Sequence, residues 1–240
     1  MLAFIFSFLV VLVLQPIFIH WLRQRGIGGQ PIRDDGPKDH VVKQGTPTMG
    51  GAVIIFAVVV STLLLADLSN VFIWLSLFVM LAFAALGFVD DWRKVAKQNS
   101  KGVSERQKLI CQAAIAGGAA AALLVLGVLH EHFRNIPAFS TALHFPFFKD
   151  VALELGIFFI PFVILVVVGT SNAVNLTDGL DGLAIGPVMT VAITYGVFAY
   201  LAGNVIAANH LSIPHVPEIG ELTIILSSIA AAGLGFLWYN

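Results

Sequence analysis

Three polar runs interrupt an otherwise apolar chain, and their residue types define the chemistry it can do. The first is Lys43-Gln44-Gly45-Thr46-Pro47-Thr48-Met49-Gly50-Gly51. A lysine, two threonines and glycine backbone ahead of an apolar helix can hold an anionic group at that helix N-terminus. The same composition also suits a loop that simply turns into the next apolar segment. The second run, Phe88-Val89-Asp90-Asp91-Trp92-Arg93-Lys94, closes an apolar stretch. Adjacent carboxylates at a helix C-terminus oppose the helix dipole, and acids near hydrocarbon are expensive. They call for compensation, by Mg²⁺ or by Lys94 and Lys97. Magnesium typically takes one or two carboxylates together with phosphate oxygens. The third run extends from Ser171 to Ala184 and carries Asn172, Asn175, Asp178 and Asp181 at every third position. On a regular helix that spacing drifts by about 60° per step. Gly179 and Gly182 instead predict a tight polar turn that converges the four groups. Amides and carboxylates with no basic neighbour suit a metal, sugar hydroxyls or a nucleobase edge.

The elements that position these runs must be membrane helices. Of 240 residues, 58% are hydrophobic and 11% charged, against about 25% charged in an ordinary soluble domain. The mean hydropathy is +0.91. This composition excludes a soluble globular protein and a disordered chain. The net charge of −1 leaves no basic field for nucleic acid. One cysteine, Cys111, excludes an internal disulfide framework; it reads as a small apolar packing residue.

Seven continuous apolar stretches cover residues 2–22, 50–66, 70–89, 109–129, 151–171, 183–203 and 222–239. Each is close to the roughly 20 residues that a bilayer core needs, and none alternates as a barrel strand does. The first has no basic residue before it and no small-residue cleavage site after it, so it is read as a span rather than a signal peptide. The fold class is therefore all-α, a polytopic transmembrane helical bundle of about seven helices, with residues 1–240 as a single domain. The loops at 23–49 and 90–108 hold 11 of the 13 Lys and Arg residues. The positive-inside rule then sets those loops and 172–182 in the cytoplasm and the N-terminus outside. All three polar runs thus share one face. Ser104-Glu105-Arg106-Gln107 reads as a capping box opening the fourth helix. Ala113, Gly117 and Ala121 give that helix a small-residue face for close approach to a neighbour. The 131–150 loop reads as a short amphipathic excursion on the opposite side, and Glu154 and Pro161 as an interfacial end and a mild kink of the fifth helix.

Lys43–Gly51 and Asn172–Ala184 closely resemble the two signatures of the MraY-type phospho-N-acetylmuramoyl-pentapeptide transferases. Asp90-Asp91 is similar to the aspartate pair of the wider polyprenyl-phosphate N-acetylhexosamine-1-phosphate transferase superfamily. Ile32–Pro37 and Lys101-Gly102 extend the resemblance over nearly the whole chain. It implies a Mg²⁺-dependent enzyme of the bacterial inner membrane, multi-pass, with its active site facing the cytoplasm. The implied reaction moves phospho-N-acetylmuramoyl-pentapeptide from UDP to undecaprenyl phosphate, giving lipid I and UMP, the first membrane step of peptidoglycan synthesis. It further implies Asp90 and Asp91 as the essential acids. Lys43, Thr48, Lys94 and Lys97 become nucleotide or phosphate contacts. Asn172, Asn175, Asp178 and Asp181 become donor-substrate contacts, and Asp90, Asp91 and Asn175 the metal ligands. A homodimer is a further expectation of the family. Its members have about ten transmembrane helices, with a third aspartate and a histidine cluster in later loops, so the chain reads as a truncated form expected to be inactive alone. Two rival readings share some of these features. One is a sibling transferase that uses UDP-N-acetylglucosamine. The other is an ion-coupled transporter, which wants acids near the midplane and an inverted repeat, and neither is visible here.

Overall fold

A computed structural model of the chain describes residues 1–24, 50–97, 102–129, 141–145, 148–177 and 182–239. Of the residues singled out above, Lys43, Thr48, Asp178 and Asp181 lie outside the described residues, as does the side chain of Lys97. The apolar runs fold as helices because a bilayer offers no water to backbone N–H and C=O groups, which must pair within the segment. The described helices are α1 (Leu2–Gln24), α2 (Gly51–Leu65), α3 (Val71–Lys97), α4 (Glu105–Leu129), α5 (Phe159–Thr177), α6 (Ile185–Gly203), α7 (Val205–Leu211) and α8 (Leu222–Leu237). Six are long and apolar enough to cross a membrane, α2 and α7 being the exceptions. The seventh expected span is α2, whose 15 residues extend about 22 Å, short of a core of about 30 Å.

The bundle is organised around α8, which packs on α1, α2 and α6. Its Ala230-Ala231-Ala232-Gly233 run and Gly235 are all buried. Small side chains let neighbouring backbones approach where lipid gives helices no hydrophobic reason to associate. A Cβ on Gly235 would lie 3.1 Å from Val11 Cβ and 3.3 Å from the Phe8 carbonyl. The Ser7 hydroxyl donates to the Ser228 carbonyl at 3.0 Å and the Tyr239 hydroxyl to the Leu12 carbonyl at 2.9 Å. Both α1 contacts advance with α8, so the two helices run parallel. Val11, Val53, Ala57, Val58, Ile73, Leu77, Ile225 and Ala232 form the buried core between α1, α2, α3 and α8. At the far end of this core the Asp67 N–H donates to Glu221 Oε2 and the Asn70 amide to the Glu218 carbonyl, tying the α2–α3 turn to the start of α8. The Ser69 hydroxyl and N–H hold the exposed Asp67 carboxyl below its usual pKa.

Several boundaries differ from the sequence reading. The third helix does not stop at Val89 but continues to Lys97, because Lys94 pairs with the acids one turn earlier on the same face. Residues 151–154 do not begin the fifth helix. They belong to an antiparallel hairpin of β1 (Ala142–Phe145) and β2 (Phe148–Glu154), with Leu143 opposite Leu153. Val151 and Leu153 are β-branched or apolar residues spaced by two, a strand pattern that a window average hides. Glu154 therefore closes a strand, accepting from the Thr141 hydroxyl at 3.2 Å. Pro161 falls in the first turn of α5, where its missing N–H costs no helical bond. The Asn172–Thr177 half of the expected polar turn is helical, forming the end of α5. Cys111 is exposed rather than packed. The Ser104 half of the capping box is formed: Ser104 Oγ accepts from Gln107 N–H at 3.4 Å, and α4 starts at Glu105. The small face of α4 is used too, with Gly117 against Ile164 of α5.

A close backbone approach joins α6 to the turn before α8. A Cβ on Gly203 would sit 2.7 Å from the Gly220 nitrogen and 2.9 Å from its Cα. Backbone cannot rotate away as a side chain can, so Gly203→Ala is expected to cost about 1–3 kcal/mol. Gly118→Ala on α4, where nothing lies within 4 Å, is expected to be neutral or slightly stabilising. Unfolding midpoints of the two variants in one detergent check this pair of outcomes.

Candidate active site

Asp90 lies about 29 Å along α3 from Val71, at about 1.5 Å per residue, and so at the edge of a core of about 30 Å. The helix brings Lys94 round to the same face one turn later. Lys94 Nζ is 2.7 Å from Asp90 Oδ2 and 3.4 Å from Asp91 Oδ1. The other oxygen of Asp90 accepts the Val103 N–H at 2.7 Å. Val103 immediately precedes Ser104, the residue that caps α4, so the carboxylate rests at that helix's N-terminal end. α3 runs on to Lys97, so Asp90 stands clear of the C-terminal dipole of its own helix, while the dipole of α4 favours the carboxylate. Lys108, in the first turn of α4, adds a further charge attraction. Gly102 leaves room for this arrangement, since a Cβ there would overlap the Asp90 carboxylate. The Asp90 side chain is 11% exposed and that of Asp91 32%, so Asp91 is the member of the pair that faces outward.

A second polar group joins α4 to α5. The Asn172 amide donates to Gln112 Oε1 at 2.7 Å and to the Val168 carbonyl at 2.8 Å. The Gln112 amide reaches Ser171 Oγ at 3.5 Å. Gln112 is 2% exposed; a buried amide in an apolar helix is stable only when paired. Gln112 meets Asn172 and Gly117 meets Ile164, so the two helices run antiparallel. Continuing that register sets Asn175 level with Leu109, beside the N-terminal turn of α4 and hence at the bundle end that holds Asp90. Asn175 is exposed there. Beside Asn172, an open groove of about 390 Å³ runs between α4 and α5, lined by Leu109, Ile164, Leu165, Val168 and Gly169.

The structure thus brings Asp90, Asp91 and Lys94 together and sets Asn172 and Asn175 on the neighbouring helix end. Asn172 itself is engaged in holding α5 on α4. Among the described residues no group of three or more His, Cys, Asp or Glu side chains could hold a metal. Asp90 and Asp91 suit a cation bound by one or two carboxylates and completed by phosphate oxygens. Sequence reading did not find Val103, whose contribution is a backbone N–H, and it marks Gly102 only as part of the resemblance, with no role for its missing side chain. Gln112 carried a usable signal, because a polar residue within an apolar span is rarely idle.

Two family models match the chain. One, described as Glycosyl transferase family 4, covers residues 71–240. The other, Phospho-N-acetylmuramoyl-pentapeptide-transferase signature 1, covers residues 43–55. Three relatives are named phospho-N-acetylmuramoyl-pentapeptide-transferase. The protein of Citrifermentans bemidjiense is 56% identical over 211 residues, 88% of this chain and 56% of its own length. That of Syntrophus aciditrophicus is 50% identical over 238 residues, 99% of this chain and 63% of its own. That of Maridesulfovibrio salexigens is 46% identical over the same number, again 99% and 63%. The chain therefore spans a little over half to under two thirds of the length of these relatives.

The Gln112–Asn172 bond is open to a double-mutant cycle with Gln112→Ala and Asn172→Ala, read by unfolding in detergent. The expected coupling is about 0.5–1.7 kcal/mol, the range of interhelical hydrogen bonds in membranes. Strictly additive costs would show that the bond does not hold α4 on α5.

Proposed function

We propose that this chain, which belongs to glycosyl transferase family 4, is the aspartate-bearing part of a membrane enzyme that transfers phospho-N-acetylmuramoyl-pentapeptide from UDP to undecaprenyl phosphate. The observation that carries the reading is the Asp90–Lys94–Val103 clasp. It stands at the same bundle end as Gly50–Ile55, the described part of the signature segment. The choice of donor is supported by the names of the relatives and by that signature. Arg23, Arg93, Lys94, Arg106 and Lys108 stand at this end, which supports a cytoplasmic orientation in a bacterial inner membrane.

The chemistry asked of the site is a phosphoryl transfer between two anions. An oxygen of the lipid phosphate bonds to the β-phosphorus of the UDP-sugar, the bridging P–O bond breaks, and UMP leaves with its electron pair. A phosphate monoester is largely ionised at pH 7, so the acceptor needs orientation and charge neutralisation more than a strong base. Lys94 supplies positive charge at the clasp. Asp90, held at both oxygens, keeps Lys94 and the start of α4 in place. Asp91, the more exposed acid, orients the lipid phosphate and takes its remaining proton. Asp91, with Asp90 and Asn175, would hold Mg²⁺ together with substrate phosphates, and that ion supplies neutralisation of the diphosphate and of the departing UMP. The apolar groove beside Asn172 offers a bed for the polyprenyl chain.

The test is UMP release from UDP-N-acetylmuramoyl-pentapeptide by the protein expressed at its natural length, in micelles with undecaprenyl phosphate. Release is expected to require both Mg²⁺ and the lipid. Asp91→Asn is expected to lower it by about two orders of magnitude or more without moving the unfolding midpoint. Turnover of UDP-N-acetylglucosamine in its place would replace the reading with the sibling transferase, and normal turnover by Asp91→Asn would remove that acid from the mechanism.

A further inference from the structure

The β1–β2 hairpin stands at the end of the bundle opposite the aspartates, because α4 leads away from Asp90 and α5 returns towards it. It packs substantially on no other described element. Its strands are amphipathic: register and alternation set Leu143, Val151 and Leu153 on one face, with Ala142, Ala152 and Glu154 on the other. Val151 and Leu153 are 50% and 51% exposed. An isolated two-stranded hairpin is marginal in water and needs a surface to cover its apolar side.

The chain itself sets what that surface is. A single residue, Leu155, separates Glu154 from the 3-10 turn Gly156–Phe158, the first turn of the span that runs on to Thr177. Ile157 and Phe158, in that turn, are 73% and 69% exposed, and none of the apolar window of the span is buried. Exposed apolar residues thus recur along the chain from Val151 and Leu153 of the hairpin to Ile157 and Phe158 at the start of the span. Thr141 fixes the junction: its carbonyl accepts the Leu155 N–H at 3.1 Å and its hydroxyl accepts the Gly156 N–H at 3.1 Å. The strands cannot swing freely away from the point where α5 enters the bilayer.

We propose that the Leu143–Val151–Leu153 face of the hairpin lies on the phospholipid surface, as an interfacial anchor beside the entry of α5, with Glu154 and Ala152 turned to water. Apolar side chains set at the headgroup–acyl boundary are how monotopic amphipathic segments bind membranes. A bilayer leaflet is the occupant, and a second copy or another part of the protein is the competing one.

Site-directed spin labelling separates them. Val151→Cys, Leu153→Cys and Ala152→Cys are made in a Cys111→Ala background of the natural-length protein, labelled, and reconstituted in nanodiscs of phosphatidylethanolamine and phosphatidylglycerol. Collisions with oxygen, which concentrates in lipid, are compared with those of a water-soluble nickel chelate. The ratio of oxygen to nickel accessibility is expected to be at least threefold higher at 151 and 153 than at 152. Leu143→Cys, on the paired strand, repeats the reading independently. Equal nickel access at all positions would put the hairpin in water and overturn the proposal. Protection of 151 and 153 from both reagents would overturn it too, by showing that protein covers the face.

Discussion

A carboxylate almost withdrawn from water at the edge of a bilayer can persist only if fixed donors replace its hydration. Asp90 has two, the Lys94 ammonium and the Val103 N–H. The first is local, one helical turn away on α3. The second is not, and it ties α3 to the segment that opens α4. From this pairing the rest of the site follows. α4 is capped beside Asp90 by Ser104, then carries Gln112 up to meet Asn172, so the end of α5 is delivered to the same place. Asp90-Asp91 and Asn172–Thr177, far apart in sequence, share an end because one carboxylate and one amide fix the helices that bear them.

The opposite half of the molecule provides the frame. α8 uses alanine and glycine to let α1, α2 and α6 come close, and hydroxyls of Ser7 and Tyr239 to lock the parallel pair. Close-packed small residues and internal hydrogen bonds hold where burial from water cannot drive association. The division is between a tightly packed α1–α2–α8 core, whose buried side chains among the described residues are all uncharged, and an α3–α4–α5 side whose polar contacts build the site.

Much of this was legible in the sequence, for physical reasons that differ by element. The long apolar runs are unambiguous because a bilayer demands length and hydropathy together, and the bundle follows from them. Asp90, Asp91 and Lys94 were visible because charge is costly at that depth. The Ser104 cap was visible because its chemistry is local. What escaped depended on partners. The extension of α3 to Lys97 rests on side-chain pairing, not on hydropathy. The hairpin at 142–154 was hidden by apolar strand residues that averaging assigns to a span. Gly102 and Val103 act through a missing Cβ and a backbone N–H, neither of which residue type announces. The polar spacing of Asn172 and Asn175 is plain in the sequence but its helical form is not, because Gly179 and Gly182 suggest a turn over residues that α5 holds to Thr177.

The account's central claim is that the clasp on Asp90 organises the reacting groups. Its most direct test is the rate of UMP release by Gly102→Ala in the natural-length protein, with Gly118→Ala as the control. A methyl at Gly102 displaces the carboxylate from Val103 without removing any charged group. The account predicts a loss of about tenfold or more at an unfolding midpoint close to that of the parent protein. Parental turnover by Gly102→Ala would contradict it, because the carboxylate would then have no need of its place at the head of α4.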